Sequence, residues 1–388
     1  MRRSGYFAAA VMLALLAAPV LPCTTFCLRS GDEVLFGKNY DWMIGDGMIF
    51  VNKRGVAKMS ADTEAKNPAS WTSKYGSVTF NQYGWEAPSG GMNEAGLVIE
   101  LMWLDETKWP AGDARPTVDV LEWIQYNLDT AATVNEVIRN AGNVRIESPV
   151  KLHYLVGDKA GNAASIEYLN GELVTHAGPH FRFRALANDS YERSVKYSNS
   201  ASATSGESSL DRFTRAGRKA EAFGKRKWTE KEATDYAFST LADVAQKNST
   251  QWSIVYDQVR ARVHFRTRMS PEVKTIRADD FDYSCGSSVK VLDVNSKGAG
   301  DMTSSFVNYT RAANRDLIQR AFTGTPFLQG VTAAEKDQIA AFPERFGCGA
   351  IRSVKEDEPP TLKETSARSF AYVLFGPAIV AYRYLIEN

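Results

Sequence analysis

Few residues in this sequence are of the kinds that metal, nucleotide and nucleic-acid sites require. Its 388 residues include four histidines and four cysteines, with neither the paired-cysteine spacing of a zinc site nor a His-Glu-x-x-His motif. No glycine-rich nucleotide-binding loop is present, and 46 basic against 45 acidic side chains provide no basic surface for phosphates. We therefore expect no metal, no organic cofactor and no nucleic-acid partner.

Long hydrophobic runs are also scarce. Hydrophobic residues make up 44% of the chain, as in a folded globular protein, and no series of apolar segments of about 20 residues indicates a membrane bundle. The run over residues 6–21 follows Met1-Arg2-Arg3 and has the length and flanking charge of a secretory signal. We predict that residues 1–22 are a signal peptide with a short pro-stub and that the mature chain has no stable membrane span; an uncleaved anchor is the alternative.

Cys23 is compatible with three roles. Lipidation would make it an envelope anchor, although residues 20–22 lack the small residue expected before a lipoprotein cysteine. Export also permits a disulfide, and the four cysteines, Cys23, Cys27, Cys285 and Cys348, allow three complete pairings. We favour the third role, a nucleophile at a new N-terminus, made when a first cut near Ala17 or Ala18 is followed by removal of the stub that ends at Pro22.

The apolar pattern groups strands and helices in blocks. Hairpin signals occur over residues 23–37 and, most clearly, over 152–168, while 116–141 predicts one helix or two helices broken near Thr130. Thr229 and Glu232 form a capping box that opens another helix. Additional helix and strand signals lie at 212–223, 252–256 and 262–266. Blocks of strands separated by blocks of helices predict an α+β protein with layered sheets.

The character of the sequence changes at Gly298. We predict a catalytic domain over residues 23–297 and an appended C-terminal region over 298–388 that docks on it. This region contains a short helix capped by Thr332, a polar connector and an apolar ending, at 332–342, 355–360 and 370–377. A Ser-, Ala- and Gly-rich stretch over 198–209 predicts a mobile loop that borders a binding site.

An N-terminal cysteine can act as a nucleophile without a histidine. Its own α-amine, with an ordinary pKa of about 7.7–8.0, can accept the thiol proton. Lys38 and Asp41, just past the first hairpin, would favour the thiolate and orient the amine. A Cys-His pair has little support, because two histidines fall in apolar strands and Gly178-Pro179 separates the other two; they are His153, His264, His176 and His180.

Four motifs then resemble those of a known family, the choloylglycine hydrolase and penicillin V acylase family of N-terminal-nucleophile hydrolases. They occur in family order and cover roughly residues 23–270. The motifs are Cys23-Thr24 with Phe36-Gly37-Lys38-Asn39-Tyr40-Asp41-Trp42, Gly91-Met92-Asn93-Glu94-Ala95-Gly96-Leu97, Leu186-Ala187-Asn188-Asp189-Ser190, and Ser208-Ser209-Leu210-Asp211-Arg212-Phe213. The resemblance implies an αββα sandwich and a homo-oligomer, often a tetramer.

The resemblance also implies roles for individual residues. Cys23 would be both nucleophile and base, Asp41 would hold its amine, Asn188 would donate to the oxyanion, and Arg212 would lie beside the thiol. Taken singly, Asp41 is equally compatible with a strand-end cap, Asn188 with a turn residue, and Arg212 with a surface cation on a helix.

Two positions depart from the family pattern. Lys38 stands where the family usually has arginine, which keeps the charge but loses the planar five-donor fork. Trp103 falls where Asn or Tyr usually lies near the oxyanion, and its indole offers one donor and a large apolar face. We expect Trp103 to contact an apolar acyl group of the substrate.

The sequence therefore predicts an exported, periplasmic hydrolase of linear non-peptide amides, such as penicillin V or conjugated bile acids, that acts through a Cys23 thioester. One alternative is a lipid-anchored periplasmic protein that binds an apolar ligand and uses Cys23 as its anchor. Another is an acid ceramidase-like N-acyl amidase, which shares the nucleophile and differs in substrate.

Overall fold

A computed structural model of the chain describes residues 23–61, 67–200 and 205–350. The predicted signal peptide and pro-stub, the predicted connector at 355–360 and the apolar ending at 370–377 lie outside the described residues. Residues 201–204 of the predicted loop at 198–209 also lie outside them.

The strands divide into two large sheets and two small ones. In chain order they are β1 Thr24–Ser30, β2 Glu33–Asp41, β3 Met48–Asn52, β4 Val56–Met59, β5 Ser70–Thr72, β6 Ser77–Asn81, β7 Pro88–Asn93, β8 Val98–Trp103, β9 Thr117–Val118, β10 Arg145–Ile146, β11 Leu152–Gly157, β12 Ala163–Leu169, β13 Glu172–Ala177, β14 Ala185–Leu186, β15 Thr250–Asp257, β16 Arg262–Thr267, β17 Lys274–Arg277, β18 Lys290–Asp293, β19 Gly300–Asp301, β20 Val307–Asn308 and β21 Gly347–Cys348. One large sheet has the order β14-β1-β2-β15-β16-β17-β19 and the other the order β13-β12-β11-β8-β7-β6-β3-β18-β20. β21, β4 and β5 form a small sheet, and β9 pairs with β10.

Helices cover the outer faces of both large sheets. They are α1 Val120–Thr130, α2 Val134–Asn143, α3 Tyr191–Ser200, α4 Ser209–Phe223, α5 Glu230–Asp243, α6 Arg311–Gly324 and α7 Ala333–Ala341. Short 3-10 turns lie at Gly178–His180, Ala278–Asp280, Thr303–Ser305, Pro326–Leu328 and Phe342–Arg345. α4 and α5 pack on the sheet that contains β1 and β2, whereas α1 and α2 pack on the sheet that contains β7 and β12. These layers confirm the predicted αββα sandwich.

Aromatic side chains join the two sheets in the centre of the sandwich. Phe80 of β6 contacts Trp252 and Tyr256 of β15, with ring centroids 6.3 Å apart in both pairs. All three side chains are buried, and burial of such rings is the largest apolar contribution that single residues make to a core. A second core lies between the sheet that contains β11 and the helices that cover it, where Trp123 of α1 stacks on Tyr154 of β11.

Local capping signals placed several helices correctly. Thr229 with Glu232 and Thr332 with Glu335 form capping boxes at the starts of α5 and α7, as predicted. Residues 116–141 contain two helices rather than one, because Ala131 after α1 is extended and Thr133 caps α2. The prediction of a loop over 198–209 was wrong at residues 198–200, which end α3, and at Ser209, which begins α4; α3 and α6 were not predicted from the sequence.

Residues beyond 297 contribute to both large sheets and to one helix layer. β19 pairs with β17, β20 pairs with β18, and the buried side chains of Ile318, Ala321 and Phe322 of α6 belong to the core that contains Trp123 of α1. A disulfide between Cys285 and Cys348 ties β21 to the loop before β18, and Cys23 and Cys27 are free, buried thiols. None of the three complete pairings that the sequence allowed is formed, because Cys285 pairs with Cys348 while Cys23 and Cys27 stay free. The predicted boundary at residue 297 stays a prediction.

Candidate active site

The first hairpin places Cys23 beside Asp41. Thr24 pairs with Asn39 across β1 and β2, so the residue before β1 lies next to the last residues of β2. Cys23 Sγ lies 3.8 Å from the backbone oxygen of Asp41, and the Cys23 side chain is buried. Burial raises the pKa of the Cys23 thiol, and the positive charge of Lys38 opposes that rise.

Asp41 is a buried carboxyl group with one oxygen available. The Thr250 hydroxyl donates to Oδ1, while Oδ2 has no hydrogen-bond partner among the described residues. Burial raises the pKa of Asp41 to about 7, and the Thr250 hydrogen bond and the charges of Arg212 and Lys38 partly oppose this rise. A positively charged donor within reach of Oδ2 would stabilise the ionised form of this carboxyl group.

Arg212 connects Cys23 to Asn188. Ser208 caps α4, which brings Arg212 in the first turns of that helix against the start of β1. Its Nη1 donates to the backbone oxygen of Cys23, at 2.9 Å, and to the Thr24 hydroxyl, while Nη2 donates to Asn188 Oδ1 at 3.2 Å. The guanidinium group is buried, so these contacts replace its hydration and fix the relative positions of β1 and the Asn188 turn.

The Asn188 amide group is oriented from both of its ends. Arg212 donates to its oxygen, and its nitrogen donates to the backbone oxygen of Trp103 at 2.9 Å. Its backbone N–H donates to the Ser209 hydroxyl. The two side-chain hydrogen bonds define which end of the amide group is the donor, and that end faces the strand that carries Trp103.

His153 and His264 are packed, hydrogen-bonded residues, as the sequence analysis expected. The two ring nitrogens of His153 contact Glu167 Oε1 and the backbone oxygen of Ala187, at 3.2 and 2.7 Å, and His264 contacts Thr275. Because Ala187 precedes Asn188, His153 supports the turn that carries the Asn188 side chain without itself contacting Cys23.

Lys38 has a buried carboxylate neighbour that the sequence analysis missed. Its ammonium group donates to the backbone oxygen of Leu101 and lies 3.9 Å from Glu100 Oε2, and both side chains are almost fully buried. The Tyr256 hydroxyl donates to Glu100 Oε1 at 2.6 Å. Burial raises the pKa of Glu100 to about 7, opposed by Lys38 and Tyr256. A charged residue in the middle of the apolar strand β8 was the available signal.

Gly90 provides the space for the Glu100 carboxyl group. A Cβ atom at Gly90 would overlap the carboxyl group of Glu100, far inside van der Waals contact. Gly90 and Glu100 are directly paired across β7 and β8. Gly90, which directly precedes the Gly91–Leu97 motif, therefore leaves room for a buried acid beside Lys38.

A narrow pocket opens at Cys23. Its volume is about 40 Å³, little more than the share of one water molecule in the liquid, and its lining is mostly apolar. The lining residues are Cys23, Tyr40, Trp42, Tyr83, Ser89, Leu101, Trp103, Leu121, Val150 and Leu152. Trp103 thus borders the nucleophile, and its indole N–H donates to Asp105, at 2.7 Å, which leaves the ring face as its contribution to the pocket.

The structure brings together all six residues that the sequence analysis selected. Cys23, Lys38, Asp41 and Arg212 interact directly or through their charges, Asn188 joins them through Arg212, and Trp103 lines the same pocket. Their assigned roles stay predictions. Within residues 23–61, 67–200 and 205–350, no group of three or more His, Cys, Asp or Glu side chains could hold a metal ion. No helix in the same ranges is long and apolar enough to cross a membrane.

Comparisons with known proteins agree with this geometry. A model of the linear amide C-N hydrolases, choloylglycine hydrolase family, matches residues 23–226. The chain is 26% identical over 250 residues to a penicillin V acylase from Pectobacterium atrosepticum; the match covers 52% of this chain and 66% of that relative, slightly under two thirds of its length.

Solved structures show the same arrangement of sheets and helices. Penicillin V acylase from Agrobacterium tumefaciens superimposes with a TM-score of 0.66 and 28% sequence identity, covering 74% of this chain and 98% of that one. A single-residue variant of conjugated bile acid hydrolase from Clostridium perfringens gives a TM-score of 0.58 at 17% identity, covering 71% and 98%. At that identity the second likeness concerns the fold alone.

Proposed function

Because the chain belongs to the choloylglycine hydrolase family of linear amide C-N hydrolases, we propose that it hydrolyses N-acyl amides through a Cys23 thioester. The substrates are compounds in which an apolar acyl group is joined to a small polar amine, as in penicillin V or conjugated bile acids. The observation that carries this proposal is the burial of Cys23 at a mostly apolar pocket, beside Lys38, Asp41 and Arg212.

Activation begins with removal of the residues before Cys23. The α-amine released by this cut has an ordinary pKa of about 7.7–8.0 and accepts the thiol proton. Asp41 Oδ2 is the acceptor that we assign to the resulting ammonium group, because it is buried and has no hydrogen-bond partner among the described residues. The charge of Lys38 stabilises the thiolate that forms.

The thiolate then attacks the amide carbon of the substrate. The carbonyl oxygen becomes an oxyanion, and Asn188 Nδ2, which carries two hydrogens and uses one at Trp103, donates the other to it. The C–N bond breaks, the leaving amine takes the proton from the α-ammonium group, and a thioester remains. A water molecule, deprotonated by the same α-amine, attacks the thioester and releases the acid and the thiol.

We place the protein outside the cytoplasm, in the periplasm. The disulfide between Cys285 and Cys348 supports this location, because disulfides persist in oxidising compartments and are rare in the cytosol. We also propose that the protein forms a homo-oligomer, because members of the family it resembles do so, often as tetramers. Light scattering on the purified exported protein measures this assembly directly.

The test is a combined mass and activity measurement. Intact mass and N-terminal sequencing of the exported protein should show a chain that begins at unmodified Cys23. This chain should release acid from at least one of three amides, penicillin V, a glycine-conjugated bile acid and an N-acyl homoserine lactone. Cys23→Ser should show no measurable turnover, while Cys27→Ala, a change at the other free thiol, should retain it.

Two outcomes would contradict the proposal. A diacylglyceryl group on Cys23, or a mature chain that still carries Pro22, would block the amine and favour an anchored binding protein. A free Cys23 chain that cleaves N-acyl sphingosines but none of the three amides would favour an acid ceramidase-like amidase.

A further inference from the structure

Tyr83 connects the pocket wall to the end of α6. It lines the pocket with Trp42, and the Trp42 indole N–H donates to its hydroxyl oxygen at 2.6 Å. On the other side the Tyr83 hydroxyl lies 3.2 Å from Thr325 Oγ1, and the Tyr83 ring packs edge-on against Phe322, with centroids 6.1 Å apart. Thr325 follows α6 directly and is fully buried.

Two hydrogen bonds make up this chain of contacts. An indole nitrogen can only donate, so the Tyr83 oxygen accepts from Trp42. The Tyr83 hydroxyl and Thr325 Oγ1, 3.2 Å apart, form the second hydrogen bond of the chain, in which either oxygen can be the donor. Trp42 is therefore linked to Thr325 through one tyrosine hydroxyl.

α6 packs against the two loops that carry Tyr83 and Trp42. Asn314 Oδ1 accepts a hydrogen bond from the backbone N–H of Trp85 at 2.9 Å. Ile318 packs closely on Gly84: a Cβ atom added at Gly84 would lie 3.0 Å from the end of the Ile318 side chain. The two residues that follow Tyr83 are thus held by α6 itself. On the other loop of the pocket wall, Ile44 lies close to Gly324, next to Thr325. Both loops that carry pocket aromatics are packed against the same helix.

We propose that Thr325 is a specificity-determining residue: it holds Tyr83 and Trp42 over Cys23 and so limits the size of the acyl group that the pocket admits. This inference rests on the proposed function for its substrate. It assigns to residues 311–325, which lie beyond the part of the chain matched by the family model, a role in shaping the acyl pocket. Because the pocket volume is only about 40 Å³, the positions of Trp42 and Tyr83 in its lining affect the size of the group that can reach Cys23.

The test compares two thiol reagents that share one electrophile and differ in size. Iodoacetamide and N-benzyl iodoacetamide are reacted with the exported protein, and fragment masses separate modification at Cys23 from modification at Cys27. Thr325→Val keeps the side-chain shape and removes the hydroxyl. The measured quantity is the rate of Cys23 alkylation by N-benzyl iodoacetamide divided by the rate with iodoacetamide. Thr325→Val should raise this ratio about two- to tenfold, the effect of losing one hydrogen bond. Thr325→Ser, which keeps the hydroxyl, should leave the ratio near that of the unmodified sequence.

A double-mutant cycle excludes a general loosening of the fold. Tyr83→Phe keeps the ring against Phe322 and should change the ratio in the same direction as Thr325→Val. The combined variant should then show no more than the larger single effect, because both changes remove the same link. Additive effects in the cycle, or an unchanged ratio in a Thr325→Val protein of unaltered circular dichroism, would overturn the proposal.

The reagent experiment measures alkylation of the Cys23 thiol at the iodomethyl carbon and not cleavage of an amide bond, so its result does not depend on the proposed reaction. If the protein cleaves amides, Thr325→Val should also weaken its preference for a compact over a bulky acyl group on the same amine. The measurement is the ratio of kcat/KM for the two substrates. If it cleaves none while the reagent ratio changes, the proposed function fails and the role of Thr325 in pocket size remains.

Discussion

Two buried cations near Cys23 make different kinds of contact. Arg212 donates hydrogen bonds from both terminal nitrogens: Nη1 donates to the Cys23 backbone oxygen and the Thr24 hydroxyl, and Nη2 donates to Asn188 Oδ1. Lys38 presents a single charged group that one backbone oxygen and Glu100 hold in place. An arginine fork defines directions, whereas a lysine supplies charge with little directional requirement. We therefore expect Arg212 to fix the geometry of the site, while both cations contribute charge: Arg212 and Lys38 at Asp41, and Lys38 at Cys23.

Arg212→Lys should lower kcat for amide hydrolysis about 10- to 100-fold, the cost of one or two lost charge-assisted hydrogen bonds. The lysine keeps the charge but cannot reach Cys23 and Asn188 at once. Steady-state kinetics on the best amide measures the effect. Arg182→Lys, at an exposed arginine paired with Glu221, is the control and should change kcat less than twofold. Equal kcat values for Arg212→Lys and the unmodified sequence would contradict the assigned role.

Glu100 should make stability depend on pH. Its pKa is about 7 in the folded protein against an ordinary value of 4.5, so the folded state binds the proton more tightly than the unfolded state. The free energy of unfolding must then fall as pH rises from about 4.5 to about 7, by about 3 kcal/mol from this group. Asp41 contributes in the same direction.

Glu100→Gln cannot ionise and should remove its own share of the fall, about 3 kcal/mol. The pH dependence that remains comes from other buried carboxyl groups whose pKa is raised, including Asp41 and Glu86. Urea unfolding at pH 4.5, 6 and 7.5 measures it, with exposed Glu192→Gln as control. If the free energy of unfolding changes equally with pH in Glu100→Gln and in the control, Glu100 does not titrate in this range.

At the scale of elements, short local signals end one helix and begin the next. α1 and α2 are separated by only three residues, yet Ala131 is extended and the Thr133 and Glu136 side chains form a capping box. The free thiols and the disulfide follow a different rule, because pairing depends on which strands meet. β21 has only two residues, pairs with β4, and is tied covalently to Cys285.

The disulfide should contribute strongly to the stability of the C-terminal region. It closes a loop of 63 residues, for which the loss of chain entropy in the unfolded state corresponds to about 4 kcal/mol. Cys285→Ser combined with Cys348→Ser should therefore lower the free energy of unfolding by about that amount in urea. Adding a reductant to the unmodified protein should reproduce this decrease, while it should not affect the double variant. Unfolding midpoints that coincide in all three samples would contradict the prediction.

At the scale of the whole molecule, the region beyond residue 297 takes part in the same layers as the rest of the described chain. β19 extends one large sheet and β20 the other, and α6 buries Ile318 and Phe322 in the core beneath the helices. Tyr309 packs on Trp85 at a centroid distance of 4.6 Å. Removing these residues would expose apolar surface on both sides of the sheet that contains β6.

A chain truncated after residue 297 should consequently fail to fold. Without α6 a large part of the core that contains Trp123 and Tyr154 would face water, at a cost of about 25 cal/mol per Å² of exposed apolar surface. For the unmodified sequence, urea transitions followed by tryptophan fluorescence and by far-ultraviolet circular dichroism should coincide. A soluble truncated protein with native circular dichroism, or two separated transitions, would instead indicate an independent domain at 23–297.

Local features of this protein could be read from the sequence. The capping boxes at Thr229 and Thr332, the hairpin over 152–168 and the break after α1 depend on residues within about four positions or one turn of each other. The proximity of Cys23 to Asp41 also follows from one hairpin and its register. The four motifs carried the resemblance to the family, and the resemblance implied the αββα layers; the family match and the structural likeness confirm the family and the fold.

Other features were decided only when the sheets and helices packed. Lys38 meets the strand of Glu100 and Leu101 across 63 residues, Asn188 meets Trp103 across 85, and Thr325 meets Tyr83 across 242. The choice of Cys285 and Cys348 as the disulfide pair belongs to the same class. Periodicity and caps act over one turn or one hairpin, so they determine which segments are helices and strands. Contacts between distant segments depend on sheet order and layer packing, which no short stretch of sequence encodes by itself.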